Sequence, residues 1–177
     1  MSRSLTTILI NGFMGAGKST VAAALARALD CSMIDLDQFV SEREGRSVPL
    51  MIDESGEEYF RQAETRALIE ALEGKRARII ALGGGTWTIA RNRELIRAHE
   101  GLTIWLDAPF DLCWQRIALA DNTRPLARER EYAQRLFNAR RALYEEAALR
   151  VQVNEESSVG QLVSEITLAL SRRESNR

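Results

Sequence analysis

Residues 5–20 read LTTILINGFMGAGKST, and this stretch decides the fold. It starts with an apolar, β-branched run, "LTTILI" (5–10), which predicts a buried strand. The run leads into Gly12-Phe-Met-Gly-Ala-Gly-Lys18-Ser19, which matches G-x-x-x-x-G-K-[ST]. Apolar residues then recur at helical spacing from Lys18 to Leu29. A strand, a glycine-rich turn and a helix in this order predict a loop whose backbone N–H groups surround phosphate oxygens.

Outward from this stretch, strand-like and helix-like segments alternate along the chain. Further strands are predicted at 32–35, 77–82, 102–106 and 150–153. Helices are predicted at 37–43, 56–72, 90–98, 110–118, 132–148 and 159–170. This alternation predicts an α/β fold, a parallel sheet with helices on both faces, in a single domain over residues 1–177. The tail, about 172–177, is expected to be frayed.

Composition narrows the function classes. The 24 Lys and Arg nearly balance the 25 Asp and Glu of the 177 residues, so no overall field favours nucleic acid or an anionic membrane. The N-terminus has no secretory pattern, and no apolar run approaches the roughly 20 residues of a membrane helix. Cys31 and Cys113 lack metal-ligand spacing and are interpreted as free thiols, which suits a reducing cytoplasm.

A phosphate-binding loop alone leaves three classes open: a small-molecule kinase, a GTPase, and a regulatory nucleotide-binding domain. A GTPase needs N-K-x-D, which the sequence lacks. Its one D-x-x-G match, "DESG" (53–56), follows a predicted helix and does not end a strand. In the kinase interpretation, Lys18 reaches the β- and γ-phosphates and Ser19 can hold Mg²⁺.

Two aspartates follow the second predicted strand. "IDLD" places Asp35 and Asp37 two residues apart, on one side of an extended chain and at the carboxyl edge where ligands bind. One carboxylate can position Mg²⁺ through water, and the other can accept a substrate hydroxyl proton. Alternatively, Asp37 only caps the next helix.

Arginines supply the cations for an anionic acceptor. Arg61 and Glu64 lie one turn apart on one face of a predicted helix, which fits a surface ion pair, an Arg61 oriented toward the pocket, or both. Of Arg140 and Arg141 on a late helix, periodicity does not decide which one points inward.

Three glycines, Gly83, Gly84 and Gly85, end the third predicted strand in "ALGGGTW". Backbone without side chains lets a small ring pack closely and offers N–H donors to a carboxylate or hydroxyl. We therefore predict that "LGGG" forms a wall of the acceptor pocket.

Taken together, these motifs resemble the shikimate kinases. The resemblance lies in "GFMGAGKST", "IDLDQFVSEREGRSV", "GEEYFRQAE", "LGGG", "TRPLA" and "RRALYEE", in the family's order and over about residues 5–170. It implies a three-layer P-loop kinase fold with a five-stranded parallel sheet and a mobile lid, which we place at about 119–131. It also implies Mg²⁺-dependent transfer of the γ-phosphoryl of ATP to the 3-hydroxyl of shikimate, toward aromatic amino acids.

The resemblance also assigns roles by position. It implies that Asp37 holds the substrate hydroxyls and acts as base, while Asp35 helps to place Mg²⁺ with Ser19 as the direct ligand. It implies that Arg61 and Arg140 grip the substrate carboxylate and that Arg124 in "TRPLA" is the lid arginine. The catalytic residues are then Lys18, Asp37 and Arg124. The predicted ATP-binding residues are Gly12, Gly15, Ala16, Gly17, Lys18, Ser19, Thr20, Arg116 and Arg124.

Two features depart from the family pattern. Trp87 follows the glycines where smaller aliphatic residues are usual, so it narrows the pocket, shifts the acceptor preference, or packs under the next helix. The segment from "TRPLA" to "RRALY" is short, with Ala127 in place of a frequent leucine. A kinase for another small hydroxylated acid, such as gluconate, is therefore the alternative. We expect a cytoplasmic monomer that binds neither nucleic acid nor membrane.

Overall fold

The computed structural model describes residues 6–120 and 129–175. Within these ranges, five strands are present: β1 (Ile8–Asn11), β2 (Met33–Asp35), β3 (Ile79–Ala81), β4 (Leu102–Asp107) and β5 (Leu149–Gln152). The described helices are α1 (Lys18–Ala28), α2 (Leu36–Glu44), α3 (Val48–Glu73), α4 (Ala90–Ala98), α5 (Phe110–Leu119), α6 (Arg130–Tyr144) and α7 (Val159–Ser175). A short 3₁₀ turn spans Thr86–Thr88.

All strand pairs in the sheet are parallel, in the order β2-β3-β1-β4-β5. The central strand β1 pairs Ile10 with Ala81 of β3 on one side and with Ile104 of β4 on the other. Because every strand runs the same way, all carboxyl ends meet at one edge. The phosphate loop, the IDLD aspartates and the three glycines follow β1, β2 and β3 and so lie at that edge.

The core lies on both faces of the sheet, as the three-layer prediction requires. Strands β1, β3 and β4 are buried along nearly their whole length, which explains why they read as continuous apolar runs. Helices α1 and α7 pack against each other, with α1 also contacting β3 and α7 contacting β5. A second group of contacts joins α3, α4 and α6 through the 3₁₀ turn.

Helix α3 corrects one prediction. The expected helix at 56–72 begins earlier, at Val48, and is kinked at Gly56, whose φ of 85° and ψ of 163° are not helical. Ser47 caps the start, its Oγ accepting from the Leu50 N–H, and Pro49 sits in the first turn, where proline is well tolerated. The "DESG" stretch therefore lies in a kinked helix and not in a nucleotide switch loop.

Helices α6 and α7 also differ from their predicted bounds. Helix α6 ends at Tyr144 and not at 148, because the chain must turn to pair Leu149 with β4. Helix α7 continues to Ser175, so the frayed tail expected from 172 is helical up to that residue. There the Arg173 guanidinium donates to the Ala148 carbonyl, 3.0 Å away, and ties this end to the body of the protein.

The expected lid at about 119–131 is only partly described. Leu119 is the last residue of α5, and residues 130 and 131 begin α6, so the ends of that range are helical. Arg130 ties the start of α6 to α5, because it pairs with Asp111 at 2.6 Å and lies over the Phe110 ring. Residues 121–128, including Arg124 and Ala127, lie outside the described residues.

Candidate active site

A cavity of about 550 Å³ opens along the carboxyl edge of the sheet. The phosphate loop forms one end, and the acceptor residues predicted from the sequence form the other. Both halves of the kinked α3 contribute side chains to the cavity. The first half, which the sequence analysis did not predict as helix, supplies Val48 and Ile52. The lining includes Met14, Gly15, Gly17, Lys18, Ser19, Thr20, Asp35, Asp37, Val48, Ile52, Phe60, Arg61, Glu64, Gly83, Gly84, Gly85, Arg116 and Arg140.

At the phosphate end, the loop wraps toward the first turn of α1. Lys18 lies on that turn, and its Nζ donates to the Phe13 carbonyl at 3.0 Å. The Arg116 guanidinium on α5 donates to the carbonyl oxygens of Gly15 and Ala16, so this arginine braces the loop. Of the predicted loop residues, Gly12 and Ala16 are buried and do not line the cavity.

Asp35 ends β2 and caps the next helix. Its Oδ1 accepts from the Gln38 N–H at 3.2 Å, while its Oδ2 accepts a short hydrogen bond from the Ser19 hydroxyl. The capping function considered for Asp37 therefore belongs to Asp35. The contact with Ser19 brings the two predicted metal-site residues together at the mouth of the phosphate loop.

Asp37 lies in the first turn of α2 and not on extended chain, which corrects the predicted geometry. It still faces the cavity together with Asp35. Burial, reinforced by the carboxylates of Glu64 and Asp35, raises the pKa of Asp37 from 3.8 to about 6, although Lys18 and Arg61 pull it downward. A carboxylate with such a pKa is ionised at neutral pH and is a stronger base than an exposed aspartate.

Arg61 is held by two glutamates of its own helix. Its Nη1 lies 3.0 Å from Glu64 Oε2 and its Nη2 lies 3.1 Å from Glu57 Oε1. Glu64 is fully buried, so this pair is not a surface ion pair. The guanidinium also lies over the Phe60 ring, 4.9 Å from its centroid. These contacts fix the orientation of Arg61 in the cavity.

The structure decides between the two late arginines. Arg140 is buried, lines the cavity and donates to the Gly84 carbonyl at 3.3 Å. Arg141 points elsewhere: it pairs with Asp107 at 2.9 Å and packs on Trp105. Arg140 therefore lines the cavity together with Arg61.

The three glycines form the predicted cavity wall, and crowding explains why glycine is needed. A Cβ on Gly83 would lie 2.5 Å from Glu64 Oε1 and 2.7 Å from Asp37 Oδ1. A Cβ on Gly85 would lie 2.5 Å from the Arg61 guanidinium. Only bare backbone leaves room for these three charged groups beside the wall.

Trp87 does not narrow the cavity. Its side chain is buried in the core, and the indole N–H donates to the Leu143 carbonyl of α6 at 2.7 Å. Trp87 thus packs in the core, and its indole contacts α6, whereas the alternative considered from the sequence was packing under the next helix along the chain, α4. The tryptophan thus ties the turn after the glycines to the helix that carries Arg140.

Two side chains near the wall were not predicted from the sequence. The Tyr144 hydroxyl donates a short hydrogen bond to the Gly84 carbonyl, and burial raises the pKa of Tyr144 to about 12. Thr86 is buried, and its hydroxyl donates to Glu64 at 2.5 Å. Tyr144 lies one helical turn from Arg140 on the same face, a spacing that could have identified it. Thr86 shows no such signal.

Across residues 6–120 and 129–175, no helix is long and apolar enough to cross a membrane. The doubly wound sheet, the phosphate loop and the charged cavity beside it define the chain as a P-loop kinase for a small molecule. The comparisons with known proteins specify the family.

Residues 14–171 match the family model described as shikimate kinase. The shikimate kinase of Ruegeria pomeroyi is 36% identical over 170 residues, covering 94% of this chain and 86% of that protein. A solved structure of the Acinetobacter baumannii shikimate kinase in complex with shikimate superposes with a TM-score of 0.87 at 32% identity, covering 96% of this chain and 95% of that one. The Aquifex aeolicus shikimate kinase superposes with a TM-score of 0.82 at 30% identity, covering 97% and 100%. The chain belongs to the shikimate kinase family.

Proposed function

We propose that this chain transfers the γ-phosphoryl group of ATP to the 3-hydroxyl of shikimate. The observation that carries the proposal is the convergence of Arg61, Arg140 and Asp37 in one cavity beside the phosphate loop. Two cations and one carboxylate match an acceptor that carries both an acid group and hydroxyls. A gluconate kinase would need the same reaction but a longer, open-chain acceptor.

The acceptor carboxylate is bound by the two cavity arginines. A guanidinium is planar and donates two parallel hydrogen bonds to a carboxylate, so Arg61 and Arg140 suit this anion better than lysines would. Glu57 and Glu64 already hold the Arg61 guanidinium in place, so its side chain loses less conformational entropy when the acid binds.

Asp37 orients the reacting hydroxyl and accepts its proton. The carboxylate lies against the Gly83 backbone, so an acceptor ring that packs on the glycines presents its hydroxyls to it. With a pKa of about 6, Asp37 is ionised at pH 7 and can accept a hydrogen bond from the attacking hydroxyl.

The phosphates of ATP bind at the loop and the first turn of α1. Backbone N–H groups of Gly15 and Gly17, the Lys18 ammonium and the helix N-terminus neutralise charge there. Because phosphoryl transfer passes through a loose transition state, placement and charge stabilisation supply most of the catalysis. We further propose that Arg116 contacts the adenine and that Arg124 approaches the phosphates as a lid arginine, with the lid confined to the part of 119–131 that lies between α5 and α6.

Ser19 and Asp35 suit Mg²⁺. Both offer hard oxygen donors, they are hydrogen-bonded to each other, and both line the cavity at its phosphate end. Mg²⁺ keeps several waters and takes one or two protein ligands beside substrate phosphates, so a site with few protein oxygens fits it. When bound, the ion would neutralise charge on the phosphate oxygens.

The test is ADP release measured in a coupled assay with shikimate, gluconate or no acceptor. We expect acceptor-dependent release with shikimate, and phosphorus NMR should locate the new phosphate on the 3-oxygen. Lys18→Ala serves as the inactive control. Turnover with gluconate alone would favour the alternative kinase, and ADP release that no acceptor stimulates would favour a regulatory nucleotide-binding domain.

We also propose that residues 1–177 act as a single kinase domain and as a monomer in the cytoplasm. Within residues 6–120 and 129–175, Cys31 and Cys113 form no disulfide, which suits that compartment. Light scattering of the purified protein measures the mass, and a value of twice the 19.9 kDa of one chain would overturn the monomer.

A further inference from the structure

A network of buried polar side chains reaches the acceptor cavity from the side of α4. The Thr65 hydroxyl donates to Asn92 Oδ1 at 2.9 Å, and Asn92 Nδ2 donates to the Thr86 carbonyl at 3.1 Å. The Thr86 hydroxyl donates to Glu64 Oε1 at 2.5 Å. Thr86, Asn92 and Glu64 have no exposed surface. Since buried polar groups are costly unless satisfied, each link depends on the next one.

Glu64 divides its two oxygens between different partners. Oε1 accepts from the Thr86 hydroxyl, while Oε2 accepts from Arg61 Nη1 at 3.0 Å. A carboxylate held at one oxygen cannot rotate freely about its terminal bond, so its other oxygen keeps a fixed direction. The direction of Oε2 in turn sets one of the two carboxylate contacts that orient the Arg61 guanidinium, the other being with Glu57.

Thr86 is itself held at three points. Its N–H donates to the Gly83 carbonyl at 3.1 Å, its own carbonyl accepts from Asn92, and its hydroxyl engages Glu64. It begins the 3₁₀ turn directly after the glycine wall and is not among the residues that line the cavity. Thr86 can therefore affect the acceptor only through Glu64, Arg61 and the wall.

We propose that Thr86 is a positioning residue for acceptor binding, whose hydroxyl sets the orientation of Arg61 through Glu64. The proposal rests on the proposed function, because it takes the acceptor carboxylate as the ligand of Arg61. In this proposal, the orientation of the Arg61 guanidinium depends on Thr86, a side chain that does not line the cavity.

The experiment compares Thr86→Val, which keeps the side-chain shape and removes the donor, with Thr86→Ser, which keeps the donor. Losing a hydrogen bond to a charged group should raise KM for shikimate about tenfold in the valine variant. KM for ATP should stay within about twofold, because none of the hydrogen bonds described for this network involves the phosphate loop. The serine variant should restore KM for shikimate to within about threefold of wild type.

Thr103→Val is the matched structural control. Thr103 is also a buried threonine with a hydrogen-bonded hydroxyl, which accepts from the Ala148 N–H at 3.0 Å, but it lies on β4 away from the cavity. This variant should lower the melting temperature and leave KM for shikimate unchanged. If Thr86 is only structural, Thr86→Val will behave in the same way, and the proposal is then wrong.

A double-mutant cycle with Arg61→Lys tests the route of the effect. If Thr86 acts through Arg61, the increase in log KM for shikimate of the double variant will be smaller than the sum of the two single increases. A sum equal to the two single increases would contradict the proposal. Thr86→Ala replaces the valine variant should that one fail to fold. The failure of the proposed function can be told from the failure of the Thr86 proposal. If the wild type does not phosphorylate shikimate, the proposed function is wrong. If it does, and the Thr86 variants keep the wild-type KM for shikimate, only the positioning role of Thr86 is wrong.

Discussion

Two glycine-rich stretches border the same cavity, and they need glycine for different reasons. In the phosphate loop, Gly12, Gly15 and Gly17 have positive φ angles of 138°, 82° and 97°. None of the wall glycines, 83–85, has a positive φ. At Gly83 and Gly85 the constraint is the lack of space beside Asp37, Glu64 and Arg61, while the nearest atom to a Cβ on Gly84 is the Met14 nitrogen. The loop glycines thus need a left-handed backbone, and Gly12 and Gly15 also lack space beside the backbone of Leu106 and Cys113. Gly83 and Gly85 are required only by neighbouring side chains.

This difference explains how the two regions can be recognised. Left-handed φ angles at closely spaced positions leave a contiguous glycine motif that can be recognised in the sequence, although part of the crowding around the loop comes from β4 and α5. The wall glycines lack such a backbone requirement. The reason for glycine at 83 and 85 is the crowding by side chains of α2 and α3, which is visible only in the structure. The predictions below probe this contrast.

The largest effect is expected at Gly15. An alanine Cβ there would lie 2.5 Å from the Cys113 carbonyl oxygen, a backbone atom that cannot move aside, and φ is +82°. Gly15→Ala should reduce kcat/KM by on the order of 10³-fold or more, because the oriented N–H groups of the loop would be displaced. Steady-state kinetics with varied ATP measures the loss, and activity within tenfold of wild type would contradict the close-packing argument.

Gly45→Ala is the control for backbone conformation alone. Gly45 ends α2 with φ of +67°, but nothing lies within 4 Å of an added Cβ. This variant should lose about 1–2 kcal/mol of unfolding free energy and keep its activity. Chemical denaturation measures the first quantity, and a loss of activity comparable to that of Gly15→Ala would show that φ, and not crowding, decides.

The next largest effect is expected at Asp37. Asp37→Asn should lower kcat by roughly 10²–10³-fold, because the amide cannot accept the proton of the hydroxyl. In the wild type, kcat/KM should rise with pH through the Asp37 pKa of about 6 and level off above it. A pH–rate profile for both proteins is the measurement, and a wild-type profile flat from pH 5 to 8 would contradict this assignment.

The same substitution should stabilise the protein. The folded pKa of Asp37 lies above its ordinary value of 3.8, so the folded state binds more protons than the unfolded state between about pH 4 and 6. Stability therefore falls as pH rises through that window, by up to about 3 kcal/mol. Asp37→Asn should raise the melting temperature at pH 8 and not at pH 3.5. An equal gain at both pH values would mean that ionisation is not the cause.

Adjacent arginines on α6 provide a matched pair. Arg140→Ala should raise KM for shikimate by about 10–100-fold, because one of the two forks on the acceptor carboxylate is lost. Arg141→Ala removes the neighbouring guanidinium, which pairs with Asp107 outside the cavity, and should change KM by less than about twofold. Equal effects in the two variants would reverse the orientation that the structure gives to this helix.

The smallest effects are expected within the wall itself. Gly85→Ala places a Cβ 2.5 Å from the Arg61 guanidinium, a side-chain end that can move aside only by giving up contacts with Glu57 and Glu64. KM for shikimate should rise by about tenfold, with KM for ATP unchanged. Gly84→Ala meets its nearest atom, the Met14 nitrogen, at 3.3 Å and should cost less. A larger effect at Gly84 than at Gly85 would refute the crowding order.

Much of the fold was predictable because its signals are local. The continuous apolar strands and the Gly12–Ser19 motif led to a parallel α/β sheet, and the fold and family predictions are confirmed. The helix at 48–55 was missed because Pro49 and "DESG" are typical of turns, although Ser47 and Pro49 also form a helix start. The ends of α6 and α7 depend on β5 pairing and on a contact of Arg173, and neither leaves a local pattern.

The cavity was predictable in its residues but not in its geometry. Asp37, Arg61, Arg140 and the glycines do line one cavity, while their catalytic roles remain predictions. The sequence alone did not decide whether Arg140 or Arg141 faces the cavity. Adjacent helical positions differ by about 100° in direction, so either side chain could face inward. Thr86 was missed because its hydroxyl acts on a glutamate 22 positions away.

The glycine wall has all three of its carbonyl oxygens engaged. Gly83 accepts from the Thr86 N–H, and Gly85 from the N–H and hydroxyl of Thr88. Gly84 accepts from Tyr144 and Arg140. An incoming molecule therefore meets a surface on which the electron-rich atoms of the main chain are already satisfied. We therefore expect the wall to bind amines and other cationic acceptors poorly, because its carbonyl oxygens already accept hydrogen bonds from donors of the protein.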